Sequence, residues 1–244
     1  MSVETQLTGK IEPFDTFWEA PENIEKGYNS FGKFYKRNYM KYLPDDKTAG
    51  ILVTCCGPGY FVNLLKKEGY TNVLGIDSDP DKVKYAKSRA LNCETEHAFT
   101  FLQSNKKPFD VIFVEQEINH LTKDEILSFF KLCFDNLNHN GIFIVHSLNG
   151  ANPITGSEAL AQNFDHYNTF TEYSLRQILS YTNFQEIEVI ALNLYIFYEN
   201  PLNYIGIFLN ALFNLFFRLS FLFYGKTNRI FTKKIGAICT KKTV

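Results

Sequence analysis

The chain lacks an excess of charge of either sign. Its 25 Lys and Arg residues nearly balance its 26 Asp and Glu residues, so the formal net charge is -1 over 244 residues. A general electrostatic attraction to nucleic acid needs a surplus of basic residues. No nucleic-acid partner is therefore expected. The length suits one large α/β domain with additions better than two independent domains.

Cysteine is scarce and is not spaced for metal binding or for disulfides. Of the five cysteines, only Cys55 and Cys56 are close together in the sequence, which suits neither a zinc ribbon nor a disulfide framework. We expect reduced thiols in a cytosolic protein. Residues 1–15 also lack the basic and apolar regions of a signal peptide, so no export is expected.

Short apolar runs alternate with helical patterns through most of the chain. The predicted strands are residues 50–56, 72–77, 109–115 and 141–147, and the predicted helices between them are 60–69, 81–92 and 122–137. A helix over 28–43 precedes this region, and a polar connection over 148–171, a helix over 172–182 and strands over 184–192 and 234–242 follow it. Uniformly apolar strands separated by helices predict a doubly wound parallel α/β sheet.

Two glycines follow the first predicted strand, where an open parallel sheet binds its ligand. Gly57 and Gly59 let the backbone approach a ligand closely, and the next helix offers free amides. Asp77 ends the second strand 18 residues after Gly59, near the spacing of about 20 typical of an acid that binds ribose hydroxyls. These residues predict a nucleoside site. The alternative is a plain tight turn, with Asp77 only capping the helix that begins at Pro80.

Four stretches, in this order and spacing, resemble the class I S-adenosylmethionine-dependent methyltransferases over residues 50 to 190. They are "ILVTCCGPG", "VLGIDSDPDKVKYAK", "FDVIFVEQEINHLTKDE" and "LNHNGIFIVH". "NGANPITG" and "NFDHYNTFTEYSLRQIL" are similar to the region after the fifth strand in methyltransferases of bacterial O-antigen and capsular polysaccharide pathways. The resemblance implies a Rossmann-like methyltransferase sheet, an S-adenosylmethionine cofactor, and methyl transfer to a sugar hydroxyl or a related glycan group.

The resemblance also implies which residues contact the cofactor. Gly57 and Gly59 would lie along the methionine, Asp77 would bind the ribose, and His97 and Ala98 would lie by the adenine. The full expected set is Cys55, Cys56, Gly57, Gly59, Asp77, Ser78, His97, Ala98 and Glu115. No metal site is expected. Glu115 and Glu117 could instead contact substrate, or bind a metal with His166, although a solvated strand end is commoner for such acids.

Several positions depart from the family pattern. Val53 stands where the family carries an acid that helps to fix the cofactor's ammonium, Cys55 stands for a glycine, and His97 stands for an Asp that accepts from the adenine amino group. In "NFDHYN", residues 163, 165 and 167 differ from the family while Phe164 and His166 are kept. The chain is therefore predicted to be an O-methyltransferase, or alternatively a catalytically degenerate subunit that binds and supports an active methyltransferase.

His166 is the predicted general base. A sugar hydroxyl loses its proton as it attacks the methyl group, and an imidazole near neutral pKa suits that task. The alternative is a loop histidine with an ordinary hydrogen bond. His120 is the second residue placed at the reaction site, where it is expected to shape the pocket and to help cap the helix at Thr122.

Residues 204–224 reach the length of a membrane span. They lie between two strands expected to share one sheet, so a single crossing is not expected. Asn210, Asn214 and Arg218 recur every fourth position, and basic residues follow at 226, 229, 233 and 234. This pattern predicts a helix in the interface of an anionic membrane, or an oligomer interface that buries the same face. A plain core helix is the third alternative.

The predicted organisation has four parts: an N-terminal helical cap over 1–48, a methyltransferase core over 49–200, an aromatic amphipathic helical insertion over 201–234, and the last strand of the core sheet over 235–244. The expected partners are a glycan or lipid-linked sugar acceptor and a homo- or hetero-oligomer through residues 204–224. The expected location is cytoplasmic and peripheral at the inner face of the membrane.

Overall fold

A single mixed sheet forms the centre of the protein. The computed structural model describes residues 21–115, 117–162, 166–193 and 200–242. The strands are β1 Ile51–Thr54, β2 Val73–Asp77, β3 Cys93–Thr95, β4 Phe109–Glu115, β5 Leu137–Leu148, β6 Gln185–Ala191 and β7 Lys234–Thr240. Their order is β3-β2-β1-β4-β5-β7-β6. The chain reverses direction across the sheet between β1 and β4, which confirms the doubly wound class.

Helices flank both faces of this sheet, and the described residues contain eight α-helices in all. They are α1 Pro21–Tyr39, α2 Tyr60–Lys67, α3 Pro80–Ser88, α4 Ala98–Ser104, α5 Lys123–Asp135, α6 Pro153–Gln162, α7 Glu172–Tyr181 and α8 Leu202–Phe223. Buried residues of α1, α2 and α3 form one apolar core, and those of α4, α5 and α7 form the other. Since successive strand residues point to opposite faces, Val53 enters the first core and Leu52 the second.

Five elements differ from the sequence prediction. Helix α1 begins at Pro21 rather than at residue 28, and a short 3₁₀ helix over Met40–Tyr42 follows it. Strand β3 and helix α4 were not predicted. The connection over 148–171 was predicted to be irregular, but it contains α6, because the Asn152 side chain accepts hydrogen bonds from the backbone N–H groups of Ile154 and Thr155 and Pro153 suits the first turn.

The carboxyl ends of the parallel strands share one edge, called here the carboxyl edge. Strand β7 is antiparallel to β5 and starts there, with Lys234 opposite Leu148. Strand β6 is antiparallel to β7 and ends there, with Ala191 opposite Ile235. The chain therefore leaves the sheet for α8 and returns from it at the same edge where a ligand is expected.

Helix α8 is the insertion predicted before the last strand. By length and composition it could cross a membrane, and it is the one such helix among the described residues. Its flanking strands β6 and β7 are hydrogen-bonded neighbours in one sheet. A single crossing of a membrane by α8 would place two hydrogen-bonded strands on opposite sides of the bilayer. Helix α8 therefore does not span a membrane as a single transmembrane helix.

Candidate cofactor and acceptor site

The turn after β1 is built from residues with positive φ. Gly59 has a φ of 83° and precedes α2, and a Cβ there would lie 2.8 Å from Cδ1 of Leu91. The fold alone therefore requires glycine at position 59. Gly57 has a φ of 52°, and none of the described atoms comes within 4 Å of where its Cβ would stand. The space over Gly57 leaves room for a ligand.

Asp77 ties this turn to the end of β2. Its Oδ2 accepts a hydrogen bond from the Gly57 N–H at 2.8 Å, and its Oδ1 accepts one from the Asp79 N–H at 2.9 Å. The cap of α3 is Asp79, which accepts from the backbone N–H groups of Asp81 and Lys82. The alternative in which Asp77 only caps this helix is therefore wrong. Burial raises the pKa of Asp77, and its two backbone hydrogen bonds partly offset that rise.

A shallow, open cleft lies beside Asp77 at the carboxyl edge. It is lined by Cys55, Ile76, Asp77, Ser78, Glu96, His97 and Ala98. Five of these seven were predicted as cofactor contacts, and Ile76 and Glu96 were not. A carboxylate, a hydroxyl and an imidazole beside an apolar isoleucine and alanine offer the polar and apolar contacts that a nucleoside requires. The residues present therefore fit the adenosine part of the predicted cofactor.

Val53 lies in the core of the protein. Its side chain is completely buried, and it pairs with Gly75 on β2 and with Phe113 on β4. Cys56 is also buried, and its Sγ would lie 2.9 Å from a Cβ at Gly75. Position 53 therefore serves apolar packing, and the sulfur of Cys56 packs behind the turn rather than in the cleft.

Glu115, at the end of β4, is not a solvated strand end. It is half-buried, and its Oε1 accepts a hydrogen bond from the Tyr35 hydroxyl of α1. Burial raises the pKa of Glu115 to about 7, while the Tyr35 hydrogen bond and the charge of Lys234 act in the opposite direction. Lys234 is only 8% exposed, and burial lowers its pKa to about 7. The charges of Glu115 and Lys234 act on each other's pKa, so a carboxyl and an amine are held in one poorly solvated region near α1.

His146 completes this polar cluster. Its Nδ1 lies 2.9 Å from the hydroxyl of Tyr39, and its buried Nε2 has no hydrogen-bond partner among the described residues. Burial, followed by the charge of Lys234, holds the pKa of His146 well below its usual range, so the ring is neutral. Sequence reasoning missed Tyr35, His146 and Lys234. The available signals were a histidine inside the apolar run 141–147 and a lysine at the start of the last strand.

The fold brings the two predicted catalytic histidines together. The ring centroids of His120 and His166 are 4.5 Å apart, with an angle of 69° between the planes. The Nδ1 of His166 lies 2.9 Å from the Ala159 carbonyl oxygen. A carbonyl only accepts, so Nδ1 carries the proton and a neutral His166 keeps the lone pair of Nε2 as an acceptor.

Backbone hydrogen bonds hold this arrangement in place. The N–H groups of Tyr167 and Asn168 donate to the carbonyl of Asn119, at 2.9 and 3.3 Å. Residue Asn119 belongs to the short 3₁₀ helix Glu117–Asn119 after β4. His120 does not cap α5 as predicted, because Thr122 and Glu125 form a reciprocal capping box there.

Part of the predicted acceptor loop lies outside the described residues, namely Asn163, Phe164 and Asp165, and so does the side chain of Glu117. Within the described ranges, no group of three or more His, Cys, Asp and Glu side chains is arranged to hold a metal ion.

Comparison with known proteins agrees with this architecture. A family model described as a methyltransferase domain matches residues 51–141, which run from β1 into β5. No curated protein matches the chain in sequence.

Several solved structures share the fold. An S-adenosylmethionine-dependent methyltransferase from Archaeoglobus fulgidus is 18% identical, with a TM-score of 0.66 over 93% of this chain and 98% of that one. A chain from the complex of a Haloferax volcanii methyltransferase with the Trm112 methyltransferase activator is 12% identical, with a TM-score of 0.68 over 96% and 100%.

Phosphoethanolamine N-methyltransferase 2 from Haemonchus contortus, in complex with S-adenosylmethionine, is 14% identical, with a TM-score of 0.59 over 93% of this chain and 59% of that one. The chain therefore has the Rossmann-like methyltransferase fold. The matched domain and these structures support the predicted class I resemblance and S-adenosylmethionine as the cofactor.

Proposed function

We propose that the protein transfers the methyl group of S-adenosylmethionine to a sugar hydroxyl of a lipid-linked bacterial surface glycan. The observation that carries the proposal is the His120–His166 pair at the carboxyl edge, with ring centroids 4.5 Å apart. The histidines follow β4 and β5, and the Asp77 cleft lies at the ends of β1 and β2. A base and a nucleoside cleft at the same edge are what methyl transfer to a hydroxyl requires.

The cofactor is proposed to lie along the turn after β1. Asp77 and Ser78 would bind the ribose, His97 and Ala98 would lie by the adenine, and the open space over Gly57 would admit the methionine. Glu115 is proposed to face the ammonium, in the role that Val53 cannot take. A carboxylate with a tyrosine hydrogen bond gains its charge readily when a cation is brought beside it.

S-adenosylmethionine supplies an electrophilic methyl group on a sulfonium sulfur. His166 Nε2 would accept the proton that the acceptor hydroxyl loses as it is methylated. The Nδ1 hydrogen bond to the Ala159 carbonyl orients the ring and places the lone pair of the neutral imidazole on Nε2. His120, beside that ring, positions it.

His166→Ala should lower turnover roughly 100-fold or more while the affinity for S-adenosylhomocysteine stays nearly unchanged, because general base catalysis typically contributes that much. The measurement is transfer of labelled methyl from S-adenosylmethionine to lipid-linked and water-soluble glycan fractions, with calorimetric titration for affinity. The matched control is His139→Ala. His139 lies near the start of β5, at the edge of the sheet opposite the carboxyl edge. Wild-type turnover in His166→Ala would remove it from the chemistry.

The second candidate is a catalytically degenerate subunit that supports an active methyltransferase. The observation in its favour is Val53, which is completely buried where the family carries an acid. The Haloferax volcanii complex is an example of a methyltransferase bound to an activator. Titration with S-adenosylmethionine separates the candidates. Alone, the degenerate subunit would bind neither the cofactor nor S-adenosylhomocysteine at millimolar concentration. Binding would be seen only when an active partner methyltransferase is added.

A further inference from the structure

The side of helix α8 that faces its own domain is mixed, with asparagines beside the half-buried Ile207, Phe217 and Phe221. Asn210 and Asn214 are half-buried, and Asn210 lines a small cavity with Arg37 and Ile207. Phe221 contacts Phe231, with ring centroids 4.6 Å apart. The prediction that Asn210, Asn214 and Arg218 share one side of the helix is therefore partly wrong, since Arg218 is exposed while the two asparagines face the protein. A step of four residues drifts around a helix by about 40°, which separates position 218 from position 210.

The outer surface of α8 is almost entirely apolar. Phe208 and Phe216 are each 63% exposed, and Phe223 is 88% exposed. The other large apolar side chains exposed on the helix are Leu202, Tyr204, Ile205, Leu209, Leu212, Phe213, Leu215, Leu219 and Leu222. Proteins that stay monomeric in water rarely expose an apolar patch of this extent, so such a face marks contact with a membrane or with another protein.

Charge decides between these two. Helix α8 contains no Asp or Glu, and exposed Lys226, Arg229 and Lys233 follow it. A second copy of α8 would offer no anion to these cations or to Arg218. An anionic lipid surface offers anions along the whole length, together with an apolar layer for the phenylalanines.

The position of α8 relates this surface to the reaction site. The side chain of Asn149 donates to the carbonyls of Ile230 and Thr232 at 3.0 and 2.9 Å, and that of Asn152 donates to the carbonyl of Phe231 at 2.6 Å. These asparagines lie between β5 and α6, and α6 contains the Ala159 that anchors His166. The segment that returns from α8 is thus fastened to the segment that carries the predicted base.

We propose that α8 lies in the interface of an anionic bilayer, with its asparagine side against the domain and its phenylalanines among the lipids, and that this holds the carboxyl edge beside the membrane. The acceptor is then a lipid-anchored molecule that reaches the site from the bilayer. The statement about the acceptor rests on the proposed methyl transfer, whereas the docking of α8 does not.

The test is co-sedimentation of the full chain with vesicles of phosphatidylcholine alone or with phosphatidylglycerol added. Wild type should bind the anionic vesicles, bind the neutral ones at least tenfold more weakly, and be released at about 1 M salt, where the screening length is about 3 Å. Phe208→Ser with Phe216→Ser, and separately Lys226→Glu with Arg229→Glu, should each lower binding at least tenfold.

Two matched controls keep the result specific. Tyr181→Ser removes an aromatic residue that is 74% exposed on α7, and Lys106→Glu with Lys107→Glu reverses two exposed charges just before β4, at the opposite edge of the sheet. Both should bind as wild type does. Titration with S-adenosylhomocysteine is run on every variant, so a failure of the proposed cofactor chemistry is recorded separately from a failure of docking.

Three results would overturn the proposal. Binding that ignores lipid charge would exclude the anionic surface, and equal loss in the controls would exclude α8 as the docking element. A particle of several chains by light scattering, reduced to one chain by the phenylalanine changes and indifferent to vesicles, would mean that a second copy covers α8.

Discussion

At the scale of single residues, Asp77 both accepts a hydrogen bond from the turn after β1 and lines the candidate cofactor cleft. Asp77→Ala should weaken S-adenosylhomocysteine binding by about 1 to 3 kcal/mol, because ribose hydroxyls would lose a buried acceptor and the Gly57 N–H would lose its own. Asp79→Ala is the matched control, since it removes the cap of α3 and should lower stability with little effect on affinity. Calorimetric titration of both variants gives the comparison. Equal affinities in Asp77→Ala and wild type would place the cofactor elsewhere.

Glu115 predicts a dependence of stability on pH. Its folded pKa, about 7, lies above its ordinary value of 4.5, so the folded state binds the proton more tightly than the unfolded state. The stabilisation from protonated Glu115 is fully present below pH 4.5 and is lost as the pH rises through 7. Relative to Glu115→Gln, the unfolding free energy of wild type should therefore fall by about 1 to 3 kcal/mol between those limits.

Urea unfolding of both proteins from pH 4.5 to 8 measures this difference. Glu188→Gln, on exposed β6, is the control and should leave the pH profile of wild type unchanged. A difference between wild type and Glu115→Gln that is flat with pH would mean that Glu115 titrates normally.

Asp77 and Ser78 could be predicted because they lie at the end of β2, and parallel strands gather their carboxyl ends at one edge. His97 and Ala98 follow β3, which was not predicted, and only the family resemblance implied that they line the site. The cluster of Tyr35, Glu115, His146 and Lys234 could not be predicted in this way. Which residues of α1 meet which strand depends on how the helix packs across the sheet, and sequence periodicity does not carry that information.

At the scale of elements, the turn between β1 and α2 contains one glycine that the fold requires, Gly59, and one that leaves space for a ligand, Gly57. Gly59→Ala should lower the unfolding free energy by about 1 to 3 kcal/mol, because its Cβ would press on Leu91 and its φ is unfavourable for alanine. Gly57→Ala meets no described atom, so it should cost only the backbone strain of about 1 kcal/mol. It should instead weaken S-adenosylhomocysteine binding at least tenfold. Urea unfolding and calorimetric titration together test both, and a normal affinity in Gly57→Ala would contradict the cofactor path.

Element length decided which parts could be predicted from the sequence. Strand β4 and helix α5 have 7 and 13 residues, which is enough for a clear apolar run or period. Strand β3 has 3 residues and helix α4 has 7, and neither gives a periodic signal. In α8, composition identified the element, but the direction of its polar face was set by contacts with Phe231 and the end of β6.

At the scale of the whole molecule, the features on which the proposed function rests gather at the carboxyl edge. The Asp77 cleft, the paired histidines and both connections to α8 lie there, while the opposite edge carries the connections into β1 and β4. Apolar cores on the two faces of the sheet hold the strands that position these features. Binding a membrane through α8 would therefore leave the cores undisturbed and act only on access to the site.

The pairing of β6 with β7 also bears on how freely the segment between them can vary. Two adjacent antiparallel strands need only a short hairpin to join them, so the pairing of β6 with β7 does not require the long segment that carries α8. The entropic cost of a longer connection grows slowly, by roughly 0.6 kcal/mol for each doubling of its length. The length and composition of this segment can therefore change without a change in the sheet, so the surface that α8 presents can vary independently of the site at the carboxyl edge.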